Sequence, residues 1–199
     1  MHDVLHLFTH VDKGILFTIK KLITSPGTMQ RDYIDGDRAR HQKPFAMFFI
    51  SATVAGLLRY WINLALVSYY QGGDVVEGDF FHKYLVILHI LLLPLYVLIT
   101  HLVFYKKKFN YAEVGVMMLY TMSFFFLITT AIWLLRFIWP QLDTAYIELP
   151  VIALYNMITF INFYKEDNVW IVIIKSLITV TLTFLAAGFF EDLAMSFMR

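Results

Sequence analysis

Arg59, His89, Glu148 and Glu191 are the types from which an anion clamp and an acid–base pair are built: one guanidinium, one imidazole and two carboxylates. All sit in or beside long apolar stretches. A charged side chain at the centre of a bilayer costs about 2.5–3.5 kcal/mol on insertion scales, so each is a functional candidate by default. Arg59 lies fourteen residues past Phe45. Helix rise carries it about 21 Å from the inner edge of a layer about 30 Å thick. His89, five residues past Tyr84 on a segment running the other way, reaches a similar depth. Asn63 follows one helical turn above Arg59 on the same face, and Arg136, Glu148, Glu191 and Asp192 fall near the same end of their segments. The spacing predicts an outward-facing polar pocket of Arg59, Asn63, His89, Arg136, Glu148 and Glu191. A plainer reading competes with it, in which Arg59 snorkels or pairs with a carboxylate to fix helix packing. That plainer reading suits Arg136 and the terminal acids better than the pocket does.

A second, inner set comprises His101, Asn156 and Lys175, with Asn162 nearby. Lys175 is close enough to a helix end to snorkel, and two asparagines six apart share a face poorly. His2, His6 and His10 recur every four residues, as two-histidine metal sites do. No matching carboxylate pattern accompanies them, so a surface histidine stripe is the stronger reading; neither metal nor other cofactor is expected. Walker loops, dinucleotide glycine fingerprints, His-Glu-x-x-His and nucleophile elbows are all missing from the sequence. No catalytic residue is named.

The elements that must position these groups follow from composition. Of 199 residues, 59% are hydrophobic, 18% aromatic and 16% charged. Mean hydropathy is +0.65. A soluble domain holds about 45–50% apolar and about 25% charged residues, so an ordinary water-soluble enzyme is excluded. With no cysteine, disulfides, thiolate metal sites and lipidated cysteines are excluded too. Roughly 20 apolar residues cross a membrane as helix. Five stretches qualify, at about 45–69, 84–105, 112–138, 147–164 and 169–190, and none alternates with the period of a barrel strand. The expected fold is therefore all-α: a polytopic helix bundle (44–199) behind a cytoplasmic arm (1–43).

Orientation follows from lysine and arginine bias. Lys13, Lys20, Lys21, Arg31, Arg38, Arg40 and Lys43 precede the first span, whereas Asp74, Glu77 and Asp79 occupy the next loop against one lysine. Lys106-Lys107-Lys108 follows the second span, 139–146 holds no basic residue, and Lys165 precedes the fifth. The alternation places the N-terminus in the cytoplasm and the C-terminus outside. Tyr69, Tyr70, Phe80, Phe81, Trp139 and Tyr146 are expected in an outer aromatic belt, with Tyr105, Tyr164 and Trp170 in an inner one.

In the arm, Val4, Leu7, Phe8, Val11, Ile15, Ile19, Leu22 and Ile23 trace one helical face. A helix this amphipathic lies in the membrane surface or against the bundle. Ser25-Pro26-Gly27 breaks it, and a second short helix is expected from Pro26 to about Asp35, with Ser25 as its cap and Gly36 as its stop. Lys20, Lys21, Arg31, Arg38, Arg40 and Lys43 form its lipid- or partner-binding set. Pro26-Gly27, then Arg31-Asp32-Tyr33, Gly36 and Arg38, with a basic run and Pro44-Phe45 opening the first span, resembles a family of uncharacterised bacterial inner-membrane proteins. The likeness covers roughly residues 5 to 50. It implies a shared cytoplasmic element before the first span and an inner-membrane location, and brings no activity or catalytic residue. Family members often carry a cysteine-rich zinc ribbon, a module not expected here.

Taken together, the residues favour a non-enzymatic membrane scaffold or accessory protein whose arm binds a cytoplasmic protein partner or anionic lipid. Two alternatives stand beside it: an oligomeric channel, permease or membrane-disrupting defence effector, and a membrane-embedded enzyme with an outward polar pocket. A homo-oligomer is compatible with each. Nucleic acid is not expected, because the topology rule alone accounts for the three lysines between spans.

Overall fold

The computed structural model describes residues 14–70, 75–105, 108–139 and 141–198; side chains at 70, 75–86, 195, 197 and 198 fall outside that description. The chain is helical throughout the described residues, with α1 (14–24) followed by α2 (Thr28–Asp35), α3 (Pro44–Tyr70), α4 (Val75–Val103), α5 (Tyr111–Trp133), α6 (Ala145–Phe163) and α7 (Val169–Met198). A 3₁₀ turn, Leu134–Phe137, extends α5. Four helices are long and apolar enough to cross a membrane: Pro44–Tyr69, Tyr111–Phe137, Ala145–Phe163 and Val169–Ala194. The apolar stretch Ile87–Val103 of α4 is a fifth, shorter one. The expected helical membrane bundle is the observed one.

Local chemistry moves several expected boundaries. α4 begins at Val75, so the expected loop at 70–83 is mostly helix. Glu77 and Asp79 fall in its opening turns, where the helix dipole favours acids. α5 opens on a reciprocal cap: the Glu113 N–H donates to Asn110 Oδ1 (3.0 Å) and the Asn110 N–H donates to Glu113 Oε2 (2.8 Å). α6 starts before residue 147 because the Asp143 carboxylate accepts the Ala145 N–H at 3.0 Å, leaving Pro150 a turn further in than expected. The cap expected from Ser25 is not made. Gly27, at φ +80, holds that position, and Gln30 Oε1 accepts its N–H at 2.6 Å. Gly36, at φ +124, ends α2 as expected.

α5 is the central helix, packed by α2, α3, α4 and α6. Its buried hydroxyls would be costly in an apolar interior if left unpaired. Its serine and threonine hydroxyls donate to their own helix: Thr121 to Met117 O (2.9 Å), Ser123 to Leu119 O (2.7 Å), Thr129 to Phe125 O (2.8 Å) and Thr130 to Phe126 O (2.7 Å). The outer faces of α6 and α7 expose Leu154, Ile174, Leu185 and Phe189, as lipid-facing helices must.

The arm is a built part of the bundle. Leu22, Met29 and Met47 are completely buried with Tyr120 and Phe124, and Ile15 and Ile19 pack on the same cluster. Ile23 departs from the expected apolar face: it is 59% exposed, with Leu16 at 68%, on the side of α1 turned away from the core. The two alternate with the packed stripe of Ile15, Ile19 and Leu22 around one helix.

Gly27 marks a close approach of the arm to α6. A Cβ there would lie 2.1 Å from Thr159 O and 2.8 Å from Phe163 N, both backbone atoms of α6. Gly27→Ala is expected to destabilise by at least about 2 kcal/mol, combining overpacking with a strained positive φ. A thermal melt in detergent checks this, with Gly36→Ala, where a Cβ meets nothing, as the milder comparison.

Candidate functional site

The sharpest polar constellation at the arm end of the bundle centres on Arg31. Its residue is 5% exposed. Nη1 donates to Phe163 O at 3.3 Å, a carbonyl at the end of α6 with no partner within its own helix, and Nη2 donates to Glu166 Oε1. Nε lies 3.6 Å from Asp35, and the guanidinium sits over the Phe109 ring at 5.7 Å. Asn162 Nδ2 donates to Pro26 O at 2.8 Å and Tyr155 OH to Leu22 O at 3.3 Å. Tyr120 OH closes the far side by donating to Gln42 O at 2.5 Å. The result joins the arm to α5, α6 and the turn before α7. Of the six arm cations, Arg31 therefore faces inward, which its sequence neighbours do not reveal. Lys20, Arg38, Arg40 and Lys43 are exposed, and Lys21 is half-buried with its ammonium 6.0 Å from the Phe17 ring.

Beneath this clamp lies an aromatic stack. Phe104 and Tyr164 are nearly parallel at 4.2 Å, Phe109 and Phe163 meet at 4.3 Å, and Lys175 Nζ lies 5.3 Å from the Phe104 centroid. Tyr164, expected in the inner aromatic belt, is 3% exposed and belongs to this core. Tyr105 and Trp170 are exposed as a belt requires, and so are Tyr69, Trp139 and Tyr146. Tyr70, Phe80 and Phe81 lie outside the described side chains.

The inner set does not form one site. Asn156 Nδ2 donates to Ile152 O of its own helix at 2.9 Å, and Asn162 serves the arm. His101 meets Tyr111 edge-on at 6.0 Å, while Lys175 is spent on Phe104.

At the opposite end, the expected outer pocket divides into two. Arg59 is 5% exposed and its Nε donates to Thr130 Oγ1 at 3.3 Å. Its guanidinium lies 5.2 Å from the Trp133 ring, and that of Arg136 lies 5.4 Å from the same ring. Glu148 is the acid whose charge acts on Arg59. His89 sits elsewhere, stacked on Phe125 at 5.6 Å and edge-on to Phe126 and Tyr96, and Glu191 of α7 acts electrostatically on Tyr96. Phe126 is one turn from Thr130 on α5, so the imidazole and the guanidinium meet successive turns of one helix. Asn63 is half-buried and makes no hydrogen bond among the described residues.

Trp133 and Thr130 escaped sequence reading, although Trp133 lies three residues from each of Thr130 and Arg136 and so neighbours both. Gln30 and Glu166 escaped it too, because nothing local marks a polar residue that will meet a distant helix. Among the described residues no group of three His, Asp or Glu side chains suits a metal, and His2, His6 and His10 lie outside them.

Residues 12–56 match a family described as a protein of unknown function (DUF3667). That segment contains α1, α2 and the first half of α3, and with them Gly27 and Arg31. No curated protein and no solved structure matches the chain.

Two titrations report on the clamp. The hydrogen bond and charge of Arg31 hold the Glu166 carboxyl below its ordinary value of 4.5. Burial against Phe17 and Tyr33 pushes the His41 imidazole below its ordinary 6.5, more than Asp37 pulls it up. Both folded-state values are depressed, so both contributions are complete above the unfolded values and are lost on acidification. Arm docking is expected to weaken below about pH 6.5 and again below about pH 4.5. Limited proteolysis within 14–43 across that range reads it out; Glu166→Gln should erase the lower step and retain the upper one.

Proposed function

We propose that the protein is a non-enzymatic, multi-pass protein of a bacterial inner membrane, oriented N-terminus in and C-terminus out. On this reading its docked arm presents a basic and apolar surface to anionic headgroups of the inner leaflet. The observation that carries it is the division of the arm's side chains. One face of α1 is locked into the core, while Leu16 and Ile23 stand exposed on the other with Lys20 between them, and Arg38, Arg40 and Lys43 are exposed just beyond. Two apolar residues flanking a lysine are the pattern of a helix lying in a membrane interface. Each exposed cation there contributes about 1 kcal/mol near an anionic surface. Clamped by Arg31, the arm is pre-organised and loses little freedom on binding.

The intramembrane charges favour this reading over a permeation path or an embedded enzyme. Arg59 rests on Thr130 and Trp133, His89 stacks on Phe125 and Lys175 lies over Phe104, so each of the three charges has an aromatic ring beside it.

Replacing Lys20, Arg38, Arg40 and Lys43 together with Gln is expected to cut co-purifying anionic phospholipid several-fold without changing the melting temperature. Lipid mass spectrometry of the purified full chain measures it, with Lys165→Gln as the control for nonspecific charge loss. Unchanged anionic lipid together with loss of a co-purifying acidic protein would replace lipid by a protein partner.

A further inference from the structure

At the end of the bundle away from the arm, three buried polar atoms have no hydrogen-bond partner: Arg59 Nη2, Arg136 Nε and Glu148 Oε1. They come from α3, the 3₁₀ turn after α5, and α6. Arg59 is more than nine-tenths buried, and both guanidiniums lie within 5.4 Å of the centre of the Trp133 ring. Neither guanidinium has an ion-pair partner among the described residues, although the charge of Glu148 reaches Arg59. Glu148 and Arg59 thus attract without touching, and all three side chains keep an unused donor or acceptor. Buried charges left so are costly, and a group carrying both an anionic oxygen and an ammonium would complete them.

We propose that Arg59, Arg136, Glu148 and Trp133 form a binding site for a zwitterion, its anionic oxygens on the two guanidiniums and its ammonium on Glu148 beside the indole. Guanidinium forks suit phosphate and carboxylate oxygens, and an indole face attracts an ammonium. The surroundings are apolar and open: Ile138, Trp139 and Tyr146 are exposed by 84%, 65% and 79%. That setting suits the phosphoethanolamine headgroup of a lipid in the outer leaflet, and a free zwitterion presents the same chemistry. The site is independent of the arm surface proposed above, which takes net negative headgroups at the other end of the bundle.

Native mass spectrometry of the purified full chain with phosphatidylethanolamine, and thermal shift with free O-phosphoethanolamine, tests it. Wild-type protein should retain phosphatidylethanolamine. Glu148→Gln and Arg136→Gln should each weaken that retention by about tenfold or more, the loss expected of a hydrogen bond to a charged group. Retention of phosphatidylglycerol, which lacks the ammonium, should respond to the arm cations and not to these two variants. Variant-sensitive lipid retention with no response to free O-phosphoethanolamine supports a lipid source; variant-sensitive stabilisation by the free compound supports a soluble one. Should Arg59→Gln fail to fold, the half-buried Arg136 and Glu148 carry the test. Retention of both lipids unaltered by the variants, or no binding of either probe to wild type, overturns the proposal.

Discussion

One guanidinium, that of Arg31, joins the two parts of this protein. It reaches from the short arm helix to the last carbonyl of α6 and to Glu166 in the following turn, with its flat face on Phe109. A helix end facing an apolar layer leaves carbonyls that water cannot satisfy, and an arginine fork is suited to supply several donors from one direction. Once Arg31 is seated, Gly27 must lie flat against α6 and Leu22 and Met29 must enter the core, because all three sit on the same short stretch of chain. The arm is consequently less a tether than a cap on one end of the bundle.

The opposite end follows a contrasting rule. There two guanidiniums share Trp133, and their nearest acid stays out of bonding range. Where the arm docks, Nη1 and Nη2 of Arg31 have acceptors, whereas at the opposite end Arg59 Nη2 and Arg136 Nε have none. Between the ends, α5 supplies an aromatic and hydroxyl-lined axis whose polar groups close on their own backbone. Unused polar atoms remain at both ends, Gln30 Nε2, His41 Nδ1 and Tyr164 Oη by the arm and Arg59 Nη2, Arg136 Nε and Glu148 Oε1 opposite.

Much of the fold was legible because the bilayer is a severe solvent. It demands long apolar helices, and those appear in composition and run length before any contact is known. One break was readable as well, since Gly36 ends α2, whereas the reciprocal cap of Asn110 and Glu113 came to light only in the structure. Ser25 misled because its neighbour Gly27 takes the capping position, a choice imposed by the close approach of α6 rather than by local propensity.

The grouping of polar residues by depth was only half informative. Depth along a helix follows from its rise, and Arg59 and Arg136 meet at the same Trp133 ring. Azimuth does not, since it depends on which neighbours a helix packs against, and that placed His89 among Phe125, Phe126 and Tyr96 instead. The same distinction governs the arm. Residue order alone led only to the expectation of an amphipathic basic helix ahead of the first span. Only the tertiary structure decided that Arg31 turns inward and Ile23 outward, because a cation's environment is set by the distant carbonyls and rings it meets, and these are scattered across more than a hundred residues of chain.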